Sequence, residues 1–288
     1  MKKRLVTWML IVALTLSAAM PALALDAGLE RVTIGANLDK AQRAQVYEDL
    51  GVTPGSVTEL TVTNEEEREY LEGLVSDGKI GNVALSSVYI KTLPEGKGLK
   101  VTTNNINWCS KEMYINALTT AGITDAEVRI TAPFEVSGTA ALTGLYKSYE
   151  DITGVKLDLG AKSVAIEEIV VTGNLAEMIG NVDATELVNQ LKLVLEQTKT
   201  MSDDEVRNEI KTIAQNLNIS LTESQVNQLL DLCRSMEGLD SKQLAQKVES
   251  LKNTLEGASK VQQTATKLWE GVKNVVSAVG NFFSNLFK

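Results

Sequence analysis

Glu167 and Glu168 interrupt an otherwise apolar run, AIEEIVV. Burial raises the pKa of a carboxyl group, and a glutamic acid kept protonated in this way can act as a general acid. The pair is therefore the candidate for a carboxylate-dependent hydrolase acting on an envelope polymer. On a helix, however, neighbouring residues diverge by about 100°, so the two would not face each other across a substrate. The plainer expectation is that one faces water and the other is hydrogen-bonded. Ser137, in VSGTAALTG, is a second candidate, a hydroxyl just ahead of a predicted helix whose amides could stabilise an anion. Its competing role is as a helix cap, with Gly138, Ala140, Ala141 and Gly144 permitting close packing. The chain contains no histidine, which excludes Ser-His-Asp and Cys-His catalysis and imidazole-based zinc sites. A Ser–Lys pair stays open, although no spacing singles out the lysine.

The two cysteines, Cys109 and Cys233, lie far apart and are too few for a thiolate metal site. They could pair in an exported protein or remain as buried thiols. No cofactor is expected. Recognition chemistry has two candidate sites. NNINW (104–108) sets three asparagines and an indole beside Cys109, in a predicted loop between a strand and a helix. Side-chain amides and a flat aromatic ring suit carbohydrate or peptide binding, unless Trp108 folds back over the core. The second is the C-terminal segment KLWEGVKNVVSAVGNFFSNLFK, which carries Trp269, Phe282, Phe283 and Phe287. Trp108 and these four residues form the candidate interaction surface.

The elements that must carry these groups divide at about residue 160. Residues 1–24 have a basic start, an apolar run from Leu5 to Leu16 and the exit Ala22-Leu23-Ala24, so a signal peptide cleaved after Ala24 is expected. The remaining chain would carry 25 basic and 37 acidic residues, or −12, which argues against a nucleic-acid partner. Residues 25–160 alternate strand and helix signals. ERVTIGA (30–36) and SVTELTVT (56–63) read as strands. Asp39 and Gly51 bracket a helix, and Asn64 starts another with Glu67 three residues on as in a capping box. VALSSVYIKTL and LKVTT, on either side of PEGKG, predict a hairpin, and AEVRITAPFEV predicts a strand broken at Pro133. A mixed sheet with packed helices, an α+β fold, follows.

From 161 to 257 the strand signals stop. AKSVAIEEIVVTGNLAEMIG predicts a buried helix. Asp183, Ser202, Thr222 and Asp240 each start a segment with Glu or Gln three residues on. Leu187, Val206, Val226 and Leu244 follow their caps by four, and Leu191, Ile210, Leu230 and Val248 by eight. The spacing of starts suits either a repeat or a run of independently capped amphipathic helices. Cys233 falls on the apolar face.

Residues 258–288 predict a long amphipathic helix of about 46 Å. Val261, Ala265, Leu268, Val272, Val275, Val279, Phe282 and Leu286 alternate steps of four and three, and the aromatics widen that stripe. A membrane span is disfavoured by Lys267, Glu270 and Lys273. The stripe could pack on its own acidic chain, self-associate or bind another protein, or lie on a membrane surface.

TIGANLDKAQRAQVYEDLGV, TVTNEEEREYL, NNINWCSKEMYINALTTAGI and APFEVSGTAALTGLYKSYEDITG resemble the YpuA-like family of secreted proteins from Gram-positive bacteria, a domain of unknown function numbered 1002. The resemblance covers most of residues 28–255 and implies secretion, but assigns no residue a role. Together these readings point to an exported protein of the extracellular or cell-envelope space that works by binding or assembly.

Overall fold

A computed structural model describes residues 27–256 of the chain, with side chains to residue 250. The expected signal peptide and the aromatic stripe of 258–288, with Trp269, Phe282, Phe283 and Phe287, lie outside the described residues. Five strands, β1 (Glu30–Gly35), β2 (Thr58–Val62), β3 (Ser87–Thr92), β4 (Leu99–Ile106) and β5 (Ala126–Val136), form one sheet in the order β2-β1-β3-β5-β4. Helix α1 (Lys40–Leu50) links the parallel pair β1 and β2, and α4 (Lys111–Thr120) links the parallel pair β4 and β5. β3 runs antiparallel to both β1 and β5 at the centre. The fold is α+β, as expected.

The predicted hairpin across PEGKG does not form, because β5 lies between β3 and β4. Parallel neighbours need a crossover connection, and the β4-α4-β5 unit supplies one, with β5 paired in parallel against β4. The loop is held instead to the start of β5, with Gly98 N–H donating to the Asp125 carboxylate at 2.8 Å. β5 runs through Pro133 rather than ending there, but its ladder to β4 jumps from Asn104↔Thr131 to Ile106↔Val136. Proline, which has no N–H to donate, thus falls where no ladder bond is needed. Asn105, at φ 57°, lies opposite and donates its side-chain amide to the Ala132 carbonyl at 2.8 Å.

Capping explains where the helices start. Asp39 with Gln42 and Thr63 with Glu66 form reciprocal capping boxes for α1 and for α2 (Asn64–Leu71). The second box sits one residue earlier than the Asn64–Glu67 pairing expected from sequence. Thr63 takes the extended conformation that a cap requires, and this turns Glu67 inward. A short helix, α3 (Asp77–Ile80), follows α2.

Helices α5 (Thr139–Thr153) and α4 cover one face of the sheet and α1 the other. The approach of α5 is close. A Cβ on Gly144 would come within 2.9 Å of Thr33 on β1, and Thr33 donates to the Gly144 carbonyl. Beyond them stack α6 (Leu159–Ile179), α7 (Asn181–Thr198), α8 (Asp203–Asn216), α9 (Glu223–Met236) and α10 (Ser241–Glu256). The residues four and eight positions after each expected cap are buried, from Leu187 and Leu191 to Leu244 and Val248. Ser202 and Thr222 form capping boxes and Asp240 accepts from Gln243 N–H. Asp183 is not a cap. Helix α7 starts two residues earlier, after Gly180, which breaks away from α6 at φ 88°. α6 supplies residues to both main apolar clusters, Ile166 and Ile169 to the sheet side and Val171 and Leu175 to the helical side.

Candidate functional site

The geometry removes most of the catalytic candidates. Glu168 is 1 % exposed and forms a 2.5 Å ion pair with fully buried Lys192 of α7. Thr120 of α4 donates to its second oxygen at 2.6 Å. A carboxylate so enclosed touches no substrate and serves as a tie between helices. Glu167, a turn-edge neighbour, is half-buried on another face of α6. Cys109 and Cys233 are both free and buried. Desolvation pushes their thiols up to about 12 and about 11, so neither is a thiolate at neutral pH. Trp108 is buried as well, so the indole lies over the core and not on an accessible surface. Its ring packs on α6, where a Cβ on Gly173 would lie 2.8 Å from Nε1.

Two of the sequence candidates do reach one place. A cleft of about 610 Å³ opens between α3 with its following loop and the turn from β5 into α5. Asn107, the exposed last asparagine of NNINW, and half-buried Ser137 both line it. The turn is rigidly held. Asn107 N–H donates to the Val136 carbonyl and Cys109 N–H to that of Ser137, both at 2.9 Å. The buried Tyr114 hydroxyl donates to the Gly138 carbonyl at 2.7 Å. Gly138, not Ser137, is the cap residue of α5, and its φ of 98° suits glycine. The Ala141 N–H is satisfied by Ser86 Oγ at 2.9 Å, while Ser137 and Thr139 hydroxyls lie 2.9 Å apart.

Glu67 lines the same cleft and escaped the sequence reading, which gave it the role of capping-box partner to Asn64 at the start of α2. Once Thr63 and Glu66 are recognised as the capping box, Glu67 is left without a role at the surface. Glu66 turns outward to pair with Lys147, whereas Glu67, 100° further round, is 1 % exposed. Its carboxylate accepts from the Asn64 side-chain amide at 3.0 Å. Burial raises its pKa above the ordinary 4.5, and the hydrogen bonds from Thr139 and Asn64 only partly oppose this. Lys79, on the cleft wall, is already engaged, with Nζ 2.9 Å from Glu177 and 5.4 Å from the Trp108 ring centre.

The raised acidity constant makes a pH prediction. Between the ordinary and the elevated pKa the folded state holds a proton that the unfolded chain has released, so stability falls as pH rises through that window. Above the elevated value the loss stays constant. Glu67→Gln removes this dependence, so its stability relative to wild type should improve between about pH 4 and about pH 8 in chemical denaturation. A difference that does not change with pH would show that Glu67 is not strained by burial.

Among the described residues, no group of three or more His, Cys, Asp or Glu is placed to hold a metal ion, and no helix is long and apolar enough to cross a membrane.

The family described as "Protein of unknown function (DUF1002)" matches residues 34–257, and the chain belongs to that family. It is 42 % identical over 210 residues to "Uncharacterized protein YpuA" of Bacillus subtilis (strain 168), covering 73 % of this chain and 72 % of that protein. No solved structure matches the chain.

Proposed function

We propose that this protein is exported to the extracellular or cell-envelope space and acts there by binding, with the cleft between α3 and the start of α5 as its ligand site. The observation that carries the reading is the cleft itself: about 610 Å³, walled by a turn that two backbone hydrogen bonds and one from the Tyr114 hydroxyl hold in place. Preformed concave sites with a few convergent polar groups are where ligands bind. Among the described residues lining it, Glu67 is the one carboxyl, so the two-carboxylate arrangement of a glycoside hydrolase has no support there. The signal-like N-terminus supports export. The 258–288 stripe is assigned an auxiliary role, cover by the chain itself, by a second copy, or by an envelope or membrane surface.

Gly78 offers a clean test. It lines the cleft, and a Cβ there meets nothing within 4 Å. Gly78→Trp should therefore fill the site without disturbing the fold. Co-sedimentation with purified cell-wall sacculi should fall at least tenfold for the variant, with an unchanged melting curve. Equal sedimentation of a folded variant would remove the cleft from the function.

A further inference from the structure

We propose that this cleft takes an uncharged, hydroxyl-rich sugar unit of an envelope glycan. The inference rests on the binding reading above and names the ligand class for the same site.

A pyranose presents two kinds of surface: a flat patch of C–H groups and a rim of hydroxyls that each donate and accept. The cleft matches both. Ile80, Val83, Leu85 and Val136 supply aliphatic wall, and Val83 is 47 % exposed, which leaves apolar surface for a ligand to cover. Against it stand exposed Asn107 and half-buried Ser137, with the buried, already bonded hydroxyls of Ser86 and Thr139 behind them. Hydroxyls and a carboxamide can each donate or accept. They fit a ligand whose own groups have no fixed polarity.

Fixed charge, by contrast, is withheld from the site. The Lys79 ammonium is neutralised by Glu177 at 2.9 Å. Glu67 lies under the surface, bonded to Asn64. Burial favours its uncharged form, as does a neutral ligand over it. An anionic polymer would meet no free cation there, and residues 25–257 carry 21 basic and 36 acidic residues, a net −15 that repels it. A cationic ligand would have to sit against the start of α5, whose helix dipole favours negative charge. Neither argument touches an uncharged sugar.

The test is calorimetric titration of the full chain with three probes: a neutral oligomer of N-acetylglucosamine, linear poly(glycerol phosphate), and an uncharged tripeptide. The sugar should bind, and neither of the others. Asn107→Ala should weaken sugar binding about tenfold and Ser137→Ala about fivefold, each loss being one to two hydrogen bonds. Gly78→Trp, checked for folding by its melting curve, should abolish sugar binding. Binding of the phosphate polymer or the peptide that Gly78→Trp abolishes, without sugar binding, would overturn the sugar inference and leave the cleft as a binding site. Sugar binding that survives Gly78→Trp, or no binding by any probe, would overturn the inference and count against the cleft reading too.

Discussion

Glu168→Ala should lower the free energy of unfolding by about 3–5 kcal/mol, the largest loss expected from any single polar truncation in the described core. The carboxylate joins three helices at once, since it lies on α6, pairs with Lys192 of α7 at 2.5 Å and accepts from Thr120 of α4 at 2.6 Å. Burial pulls the Lys192 pKa down, and the attraction of Glu168 is what opposes that pull. Without Glu168 the ammonium would keep only a 3.4 Å bond to the Asn116 carbonyl. It must then shed its proton or remain buried and unpaired, and both are costly. Replacing both partners, Glu168→Gln with Lys192→Met, should recover most of the loss, because the cost lies in the stranded charge and not in the missing attraction. Urea unfolding of Glu168→Ala and of the double variant measures this directly. A loss below about 1 kcal/mol for Glu168→Ala would mean that water reaches the pair.

Gly138→Ala carries the second large effect, about 3 kcal/mol from two additive causes. At φ 98° an L side chain is strained even in open space. Here the space is also taken: the new Cβ would lie 2.6 Å from the Tyr114 hydroxyl and 2.7 Å from Ile106 Cγ2. The Tyr114 side cannot give way, since Tyr114 is fully buried and its hydroxyl holds the Gly138 carbonyl. The turn that presents Ser137 and Thr139 to the cleft would have to move. The expected result is a lowered melting temperature together with weakened ligand binding. Gly78→Trp, in contrast, should lose binding alone. A Gly138→Ala protein of wild-type stability would mean that the turn is not held as described.

Legibility from sequence followed the range of the interactions. Helices α8 and α9 start at Ser202 and Thr222, as their capping residues indicate, because a cap is decided within four residues. Their apolar positions are buried for the same local reason, and the mixed α+β class follows from alternating signals. The partner of β3 was not readable, since it depends on where α4 delivers β5, a contact between residues some forty positions apart. A slip of one residue at the Thr63 cap hid Glu67, because on a helix one position changes which face a side chain occupies. Glu168 was recognised as a group in apolar surroundings, but nothing near it in sequence announces Lys192. Asn107 and Ser137 were each singled out. Their meeting at one cleft required the β4–β5 bulge and the two bonds that tie 107–109 to 136–137.

The most direct measurement of the central claim is a backbone amide NMR titration of the full chain with soluble fragments of purified cell-wall glycan. Shifts at Gly78, Val83, Asn107, Ser137 and Thr139 should saturate together and disappear in Gly78→Trp. Shifts centred elsewhere, such as on the separate hollow beside Lys247, or shifts that persist in Gly78→Trp, would contradict it.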